Sequence, residues 1–187
     1  LNEAENVRES LSRLQVMREL GHEIIVVDGG SVDGTAKQAE SLADRVLVSS
    51  TGRALQMNAG AECAHHNMLV FLHLDTALMA EHLRELEQQL KLTGKNWGRF
   101  DVRLSGTRWV FRLIERMINI RSRLSGIATG DQAIFIHRSL FSTLGGFAKI
   151  PLMEDVEICK RLMAHESPLC IRRSVITSSR RWERHGI

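Results

Sequence analysis

The chain has 187 residues, of which 43% are hydrophobic and 25% are charged, and its formal net charge is +3. This composition is typical of one globular domain and excludes a disordered or low-complexity protein. The small positive charge suits an anionic small molecule or an anionic membrane surface and does not require nucleic acid. The three cysteines lack metal-ligand spacing, so we expect reduced thiols and a cytoplasmic protein. No apolar run is long enough to span a bilayer.

The first half of the chain predicts helices alternating with strands through short connections. Asn2 and Glu5 are spaced as a capping box at the start of the first helix. Such alternation indicates an α/β fold with a mixed, mainly parallel sheet flanked by helices. In chain order, we expect a helical stripe from Val7 that ends at Gly21, strand 24–27, helix 35–43, strand 45–48, helix 53–64, strand 68–72 and helix 79–92.

After Gly94 the regular alternation breaks. We predict a single domain over residues 1–187, with a nucleotide-binding half at 1–93 and an acceptor-side half at 94–187. Because the chain opens at a helix start and stops without a tail, we also expect a missing first strand and C-terminal tail. The elements predicted here are strand 97–104, helix 109–124, strand 132–136, helix 154–164, and strands 169–172 and 175–178.

Two predicted strands end in acidic residues, Asp28 and Asp75. The carboxyl ends of parallel strands form the ligand-binding edge of an open α/β sheet, where Asp28 would accept donors from a ribose or a base. The alternatives are that Asp28 is only a turn former and that Asp33 is only a helix N-cap. In an extended segment His73 and Asp75 point the same way, which suits two ligands of one metal, although His73 could also be a core histidine.

Two later motifs could carry chemistry. Three acids open the helix after Pro151, and one of them could be a general base; charge complementation of the helix dipole is the alternative. Arg181 and Trp182 lie in an arginine-rich segment that suits a diphosphate, or else forms a surface basic patch. The amphipathic segment 108–118 is either packed core with a charged outer face or a surface that contacts a membrane.

Several motifs occur in an order that resembles glycosyltransferase family 2. The resemblance covers nearly the whole chain and extends to a small cytosolic "glycosyltransferase 2-like" branch found beside radical-enzyme genes. It implies a GT-A, Rossmann-like fold, a nucleotide-sugar donor and an inverting, hexosyltransferase-like activity. The motifs are VVDGGSVDGT, GRALQMNAGA, FLHLDT, GDQ, LGGF, PLMEDVE and SSRRW.

The resemblance also implies roles for individual residues. Asp155 would be the general base, with Glu154 beside it and Arg181 at the leaving group. Asp75 and His73 would hold a divalent metal, Mn²⁺ or Mg²⁺. The nucleotide-sugar would contact residues of both halves: Asp28, Asp33, Arg53, Gln56, Asn58, Asp75, Asp131 and Trp182.

The chain departs from the family pattern at three positions. Gly29 stands where a second acid is usual, His73 replaces the first acid of the DxD-type motif, and Ser178 replaces the glutamine of the QxxRW-type motif. A metal-independent or inactive relative therefore stays open. The alternative functions are a nucleotidyltransferase, which the missing first strand leaves open, and a non-catalytic nucleotide-sugar binding module. We expect no nucleic-acid partner, an acceptor that is unknown or lipid-linked, and a location in the cytoplasm or at the inner face of a membrane. The sequence leaves the oligomeric state open.

Overall fold

A computed structural model describes residues 1–184, apart from the side chains of Arg181 and Arg184. The helices α1 to α8 are Ala4–Glu19, Thr35–Ala39, Arg53–Cys63, Ala80–Thr93, Trp109–Ser125, Arg138–Thr143, Glu154–Met163 and Arg180–Arg184. The strands β1 to β7 are Ile25–Asp28, Arg45–Val48, Met68–Val70, Thr76–Ala77, Trp97–Leu104, Phe135–His137 and Leu169–Thr177.

The strands form a two-stranded sheet, β1–β2, and a five-stranded sheet in the order β3-β6-β5-β7-β4. The longer pairings, β1 with β2 and β5 with β7, are parallel. The shorter pairings are antiparallel: β6 with β3 and β5, and β4 with β7. The predicted mixed α/β fold is confirmed, because β-rich segments of both halves join one sheet that helices flank.

The two predicted C-terminal strands are one strand, β7, with an irregularity in its middle. Phe100 on β5 pairs with Ile171, but the next residue, Asp101, pairs with Ser174. The extra residues of β7 bulge out of the ladder, and this bulge is where the sequence pattern suggested a break. Strand β6 also starts later than predicted, because Gly130–Gln132 form a short 3-10 helix, here called the GDQ turn.

The predicted capping box at the start of α1 is wrong. Asn2 has a left-handed backbone (φ 56°), and its side chain accepts from the Val32 amide at 3.1 Å rather than capping the helix. The first helical amide, Ala4 N–H, instead donates to Asp33 Oδ2 at 2.9 Å. A residue distant in sequence therefore replaces the local cap, which spacing alone does not reveal.

Three apolar clusters join the layers. One lies between α3, α7 and the five-stranded sheet, a second between α4 and the opposite face of that sheet, and a third between α1, α2 and β1. Leu14 of α1 packs on both the second and the third cluster and so connects the two sheets. Within residues 1–184, no helix is both long and apolar enough to cross a bilayer.

Candidate functional site

The centre of the candidate site is a turn formed by His73, Leu74 and Asp75. Strand β3 ends at Val70, and the Thr76 amide donates to the His73 carbonyl at 3.0 Å. The segment is thus a turn rather than extended, so the alternation argument for placing His73 and Asp75 on one side does not apply. Leu74 packs against the apolar cluster of α1, α2 and β1, which anchors the turn between its two polar residues.

On one side, the His73 ring lies against the GDQ turn. Its Nδ1 is 3.4 Å from Asp131 Oδ1. A Cβ atom at Gly130 would lie 2.3 Å from His73 Cε1, so the ring approaches a backbone that has no side chain. His73 is partly exposed and paired with an acid, which is the environment of a functional or surface histidine rather than of a core residue.

Asp155 reaches the same turn from α7. Its Oδ2 accepts from the Gly130 amide at 3.0 Å, and its side chain is only partly buried. Glu154 beside it is buried, with 2% of its surface exposed. The preceding residue, Met153, has a left-handed backbone (φ 66°), which turns the chain sharply into the helix. The GDQ turn therefore brings the predicted base next to the His73–Asp131 pair.

Cys159 packs in the core against the segment that leads into this turn. The Ala128 amide donates to Cys159 Sγ at 3.4 Å in the core between α7 and the sheet. Burial raises the pKa of the Cys159 thiol to about 11, to which the nearby Asp155 carboxylate adds. The group is therefore a neutral thiol at physiological pH and has a packing role.

On its other side, the central turn meets the C-terminal segment. The Asp75 carbonyl accepts from the Ser178 amide at 3.1 Å, and Thr76 pairs with Thr177 across β4 and β7. Asp75 itself is exposed, and Trp182 in α8 is half-buried. The predicted Arg181 side chain lies outside the described part of the structure, so its position relative to Asp75 stays a prediction.

At the predicted nucleoside end, Asp28 is buried and closes its own turn. Its Oδ2 accepts from the Gly30 and Ser31 amides at 2.9 and 2.6 Å, and its Oδ1 accepts from the Ser31 hydroxyl at 2.5 Å. Burial acts to raise the pKa of Asp28, but the hydrogen bonds from Ser31 and Gly30 outweigh it and hold the pKa below its usual value. Asp28 is thus a turn former, with acceptor capacity left for a ligand.

Asp33 and two polar residues of α3 also make structural contacts. Asp33 Oδ1 accepts from Thr35, while its other oxygen holds the start of α1, so the predicted loop-supporting role has a physical basis. Gln56 Nε2 donates to the Val27 carbonyl at 2.9 Å, and Asn58 exchanges two hydrogen bonds with the backbone of Phe147, each 2.9 Å. The structure does not bring Asn58 to the central turn.

The exposed groups near these contacts are the ones available to a ligand. Arg53 is exposed at the first turn of α3, just after Gly52. Gln56 packs against Gly29, where an added Cβ would lie 3.1 Å from the Gln56 amide carbon. The second acid usual in the family would therefore crowd Gln56, which gives the Asp28-Gly29 departure a local steric reason.

A metal site is incomplete in the protein alone. Among residues 1–184, no three His, Cys, Asp or Glu side chains converge into a group that could hold a metal ion. Imidazole and carboxylate ligands suit Mn²⁺, and ions of this kind in phosphate sites often take only one or two protein ligands, with phosphate oxygens completing the shell. His73 and Asp75 supply ligand types that suit Mn²⁺, and their joint role in a metal site stays a prediction.

Comparison with solved structures agrees with the fold. The S. aureus TarS fragment 1–349 superposes with a TM-score of 0.70 at 16% identity, over 93% of this chain and 58% of that one. Mannosyl-3-phosphoglycerate synthase from Rubrobacter xylanophilus gives 0.65 at 18% identity, over 98% and 66%. The mannosyltransferase PcManGT from Pyrobaculum calidifontis, solved with GDP-Man and Mn²⁺, gives 0.67 at 20% identity, over 95% and 53%. The chain thus spans less than two thirds of these structures.

Comparison at the level of sequence identifies the family. No curated protein matches the chain. The family model described as Glycosyl transferase family 2, however, matches residues 1–144, which hold the Asp28 turn, the central turn and the GDQ turn. Together with the GT-A fold of the structural neighbours, this match shows that the chain belongs to glycosyl transferase family 2.

Proposed function

We propose that the protein transfers a sugar from a nucleotide-sugar donor to an acceptor hydroxyl, with inversion at the anomeric carbon and Asp155 as the general base. One observation carries the proposal: the Gly130 amide holds the Asp155 carboxylate beside the His73–Asp131 pair. This contact supports the proposal because it lies beside His73, the predicted metal ligand, and Asp131, a predicted nucleotide-sugar contact. Family membership supports the reaction class.

The proposed chemistry follows from the needs of sugar transfer. The acceptor oxygen forms a bond to the anomeric carbon while the bond from that carbon to the diphosphate breaks, and the hydroxyl proton passes to Asp155. An alcohol is a poor nucleophile unless a base takes this proton in the transition state. The Gly130 amide fixes one Asp155 oxygen and leaves lone pairs to accept the proton. Buried Glu154 acts as a positioning residue for the start of α7.

The leaving diphosphate would lie on the Asp75 side of the central turn. We propose that Asp75 and His73 hold a divalent cation, Mn²⁺ or Mg²⁺, which when bound stabilises negative charge on the leaving group as a Lewis acid. Asp131 orients the His73 ring through its contact with Nδ1. Arg181 and Trp182, which follow the Ser178 contact to Asp75, would bind the diphosphate and the sugar.

The nucleoside would lie over the Asp28 turn. Asp28 would accept donors from the ribose or base, Gln56 would shape the floor beside Gly29, and exposed Arg53 would contact phosphate. TarS has been solved with UDP and with UDP-GlcNAc, and PcManGT with GDP-Man, so both uridine and guanosine donors are reasonable probes. A thermal-shift screen of UDP-, GDP- and dTDP-sugars with Mn²⁺ would identify the base, because bound ligand stabilises the fold.

The role of Asp155 is tested by Asp155→Asn. We expect turnover to fall by about 10²-fold or more, in line with the usual size of general-base effects, while donor binding persists. The control is Glu157→Gln, which removes an acid from the same helical turn, where Glu157 pairs with Arg161. If the acids only complement the helix dipole, the two variants will behave alike, and near-normal turnover in Asp155→Asn would refute the assignment.

The role of Asp75 is tested by calorimetry of donor binding with and without Mn²⁺. We expect Asp75→Ala to lose the Mn²⁺-dependent part of donor affinity, since a carboxylate ligand is removed at an exposed position that the fold does not need. Unchanged Mn²⁺ dependence would show that Asp75 does not bind the ion. Donor binding by the wild-type protein without any transfer or hydrolysis would instead favour the non-catalytic binding module. The cytoplasmic location and a lipid-linked acceptor stay predictions.

A further inference from the structure

The outer face of α5 is both apolar and exposed. Sequence pattern left open whether this helix packs entirely into the core, and the structure shows that only its inner face does: Phe111, Glu115 and Ser122 are buried. The opposite face carries large apolar side chains spaced by three or four residues along the helix, so they form one continuous stripe. They are Trp109 (77% exposed), Leu113 (49%), Met117 (62%), Ile120 (45%) and Leu124 (85%).

Arginines flank this stripe, and no exposed acid lies among them. Arg116 lies along one edge of the stripe and Arg121 along the other, both exposed. The acid of the helix, Glu115, is buried, where it accepts from the Leu104 amide and pairs with Arg112. Within the described residues, neither Arg116 nor Arg121 forms an ion pair with a carboxylate. The edges of the stripe are therefore positively charged, and no carboxylate of the described residues neutralises them.

The charge pattern distinguishes between possible occupants. A second copy of the chain, packed through the same stripe, would bring arginine edges together without a carboxylate to neutralise them, which is unfavourable in a low-dielectric contact. An anionic lipid surface offers hydrocarbon to the stripe and phosphate to the arginines. An exposed tryptophan at one end of an amphipathic, arginine-edged helix is the usual pattern for helices that lie in the bilayer interface.

We propose that α5 docks the protein on anionic membranes, lying in the plane of the interface with the stripe in the headgroup and acyl boundary. This surface is distinct from the sugar-transfer site, and the inference does not depend on the proposed function. It has a geometric consequence for the site. The helix ends at Ser125, and the segment 126–129 leads directly to the GDQ turn, so docking places that turn within about 20 Å of the interface.

Co-sedimentation with vesicles tests the proposal. The probes are vesicles of phosphatidylcholine alone and of phosphatidylcholine with about 30% phosphatidylglycerol, an anionic fraction that attracts basic segments. We expect binding to the anionic vesicles, weaker binding to the neutral ones, and a loss of binding as salt rises. The double variant Arg116→Glu/Arg121→Glu should bind more weakly by about fivefold or more for each arginine. Equal binding to both vesicles would overturn the anionic preference.

The stripe itself is tested by Leu113→Glu/Leu124→Glu. Both side chains are exposed, so the variant should fold, which circular dichroism and the melting temperature would check; vesicle binding should fall by about tenfold or more. The matched control is Leu92→Glu, which changes a leucine that is 71% exposed at the end of α4. Equal losses in both variants, or no vesicle binding by the wild type, would overturn the proposal. A dimer that only the stripe variant disrupts would assign the stripe to self-association instead.

Tryptophan fluorescence gives an independent readout. Trp109 is largely exposed, whereas Trp97 is fully buried, so insertion of the stripe should shift the emission of Trp109 to shorter wavelength. Trp109→Phe should remove the shift and keep most of the binding, because phenylalanine retains the apolar surface. A shift that persists in Trp109→Phe would place the contact elsewhere and contradict docking through α5.

Discussion

Asn58 was predicted to contact the nucleotide, but its contacts predict a role in stability. Its Nδ2 donates to the Phe147 carbonyl and its Oδ1 accepts from the Phe147 amide, each at 2.9 Å, and Phe147 is 98% buried. Asn58→Ala leaves both backbone groups without partners. An unsatisfied buried polar group costs about 1–3 kcal/mol, so the variant should lose roughly 2–5 kcal/mol of unfolding free energy. For a chain of this size, this corresponds to a fall of about 5–15 °C in melting temperature.

Urea denaturation followed by circular dichroism measures this loss. The control is Asn67→Ala, since Asn67 is exposed and its substitution should change the unfolding free energy by less than about 0.5 kcal/mol. The slope of free energy against urea should stay constant, because the folded state remains compact. If Asn58→Ala unfolds at the same urea concentration as Asn67→Ala, the hydrogen bonds to Phe147 do not stabilise the fold and the argument fails.

The two other predictions concern pH and thiol reactivity. Burial acts to raise the pKa of Asp28, but the hydrogen bonds from Ser31 and Gly30 outweigh it and hold the pKa below 3.8. The contribution of Asp28 to stability is therefore present above that value and disappears as pH falls through the lower folded-state pKa. Acid titration of the melting temperature should therefore show a steeper fall below about pH 4 in the wild type than in Asp28→Asn, and identical curves would contradict this. Burial raises the pKa of Cys159 to about 11, so an aromatic disulfide reagent at pH 7.5 should leave this thiol unmodified until the protein unfolds. The partly exposed Cys63 and Cys170 should react first. Early labelling of Cys159, detected by mass spectrometry, would disprove this prediction.

The periodic elements were largely predictable from sequence. The boundaries of β2, β5 and α5 agree with their apolar patterns to within one residue. Prediction failed where a single long-range contact overrides local pattern. The 3-10 GDQ turn is one example, since it does not interrupt the apolar pattern that predicted strand 132–136. The bulge in β7 is another, because the break that it makes in the pattern does not reveal that both parts form one strand. The short strand β4 was missed because two residues carry no periodicity.

The candidate site was predictable in its residue types but not in its partners. The sequence marked Asp28 and Asp33 as polar residues after a strand, and both remain in the proposed site. It could not show that their oxygens are already used by Ser31 and by the start of α1. The same holds for Asn58, whose partner is far along the chain. The adjacent glycines Gly145 and Gly146 were one sequence signal of a close contact at this point. A Cβ atom at Gly146 would lie only 2.6 Å from Asn58 Oδ1.

His73, the proposed metal ligand, is best understood together with Gly130. In the family pattern an acid is usual at position 73, and a carboxylate there would be repelled by Asp131 unless a cation separated them. With an imidazole, the pair can form directly, at 3.4 Å, but the larger ring requires room that only a glycine backbone at 130 provides. That glycine also supplies the amide that holds Asp155. The His73 ring and the Asp155 carboxylate thus both depend on Gly130, the ring through the room that the glycine leaves and the carboxylate through the glycine amide.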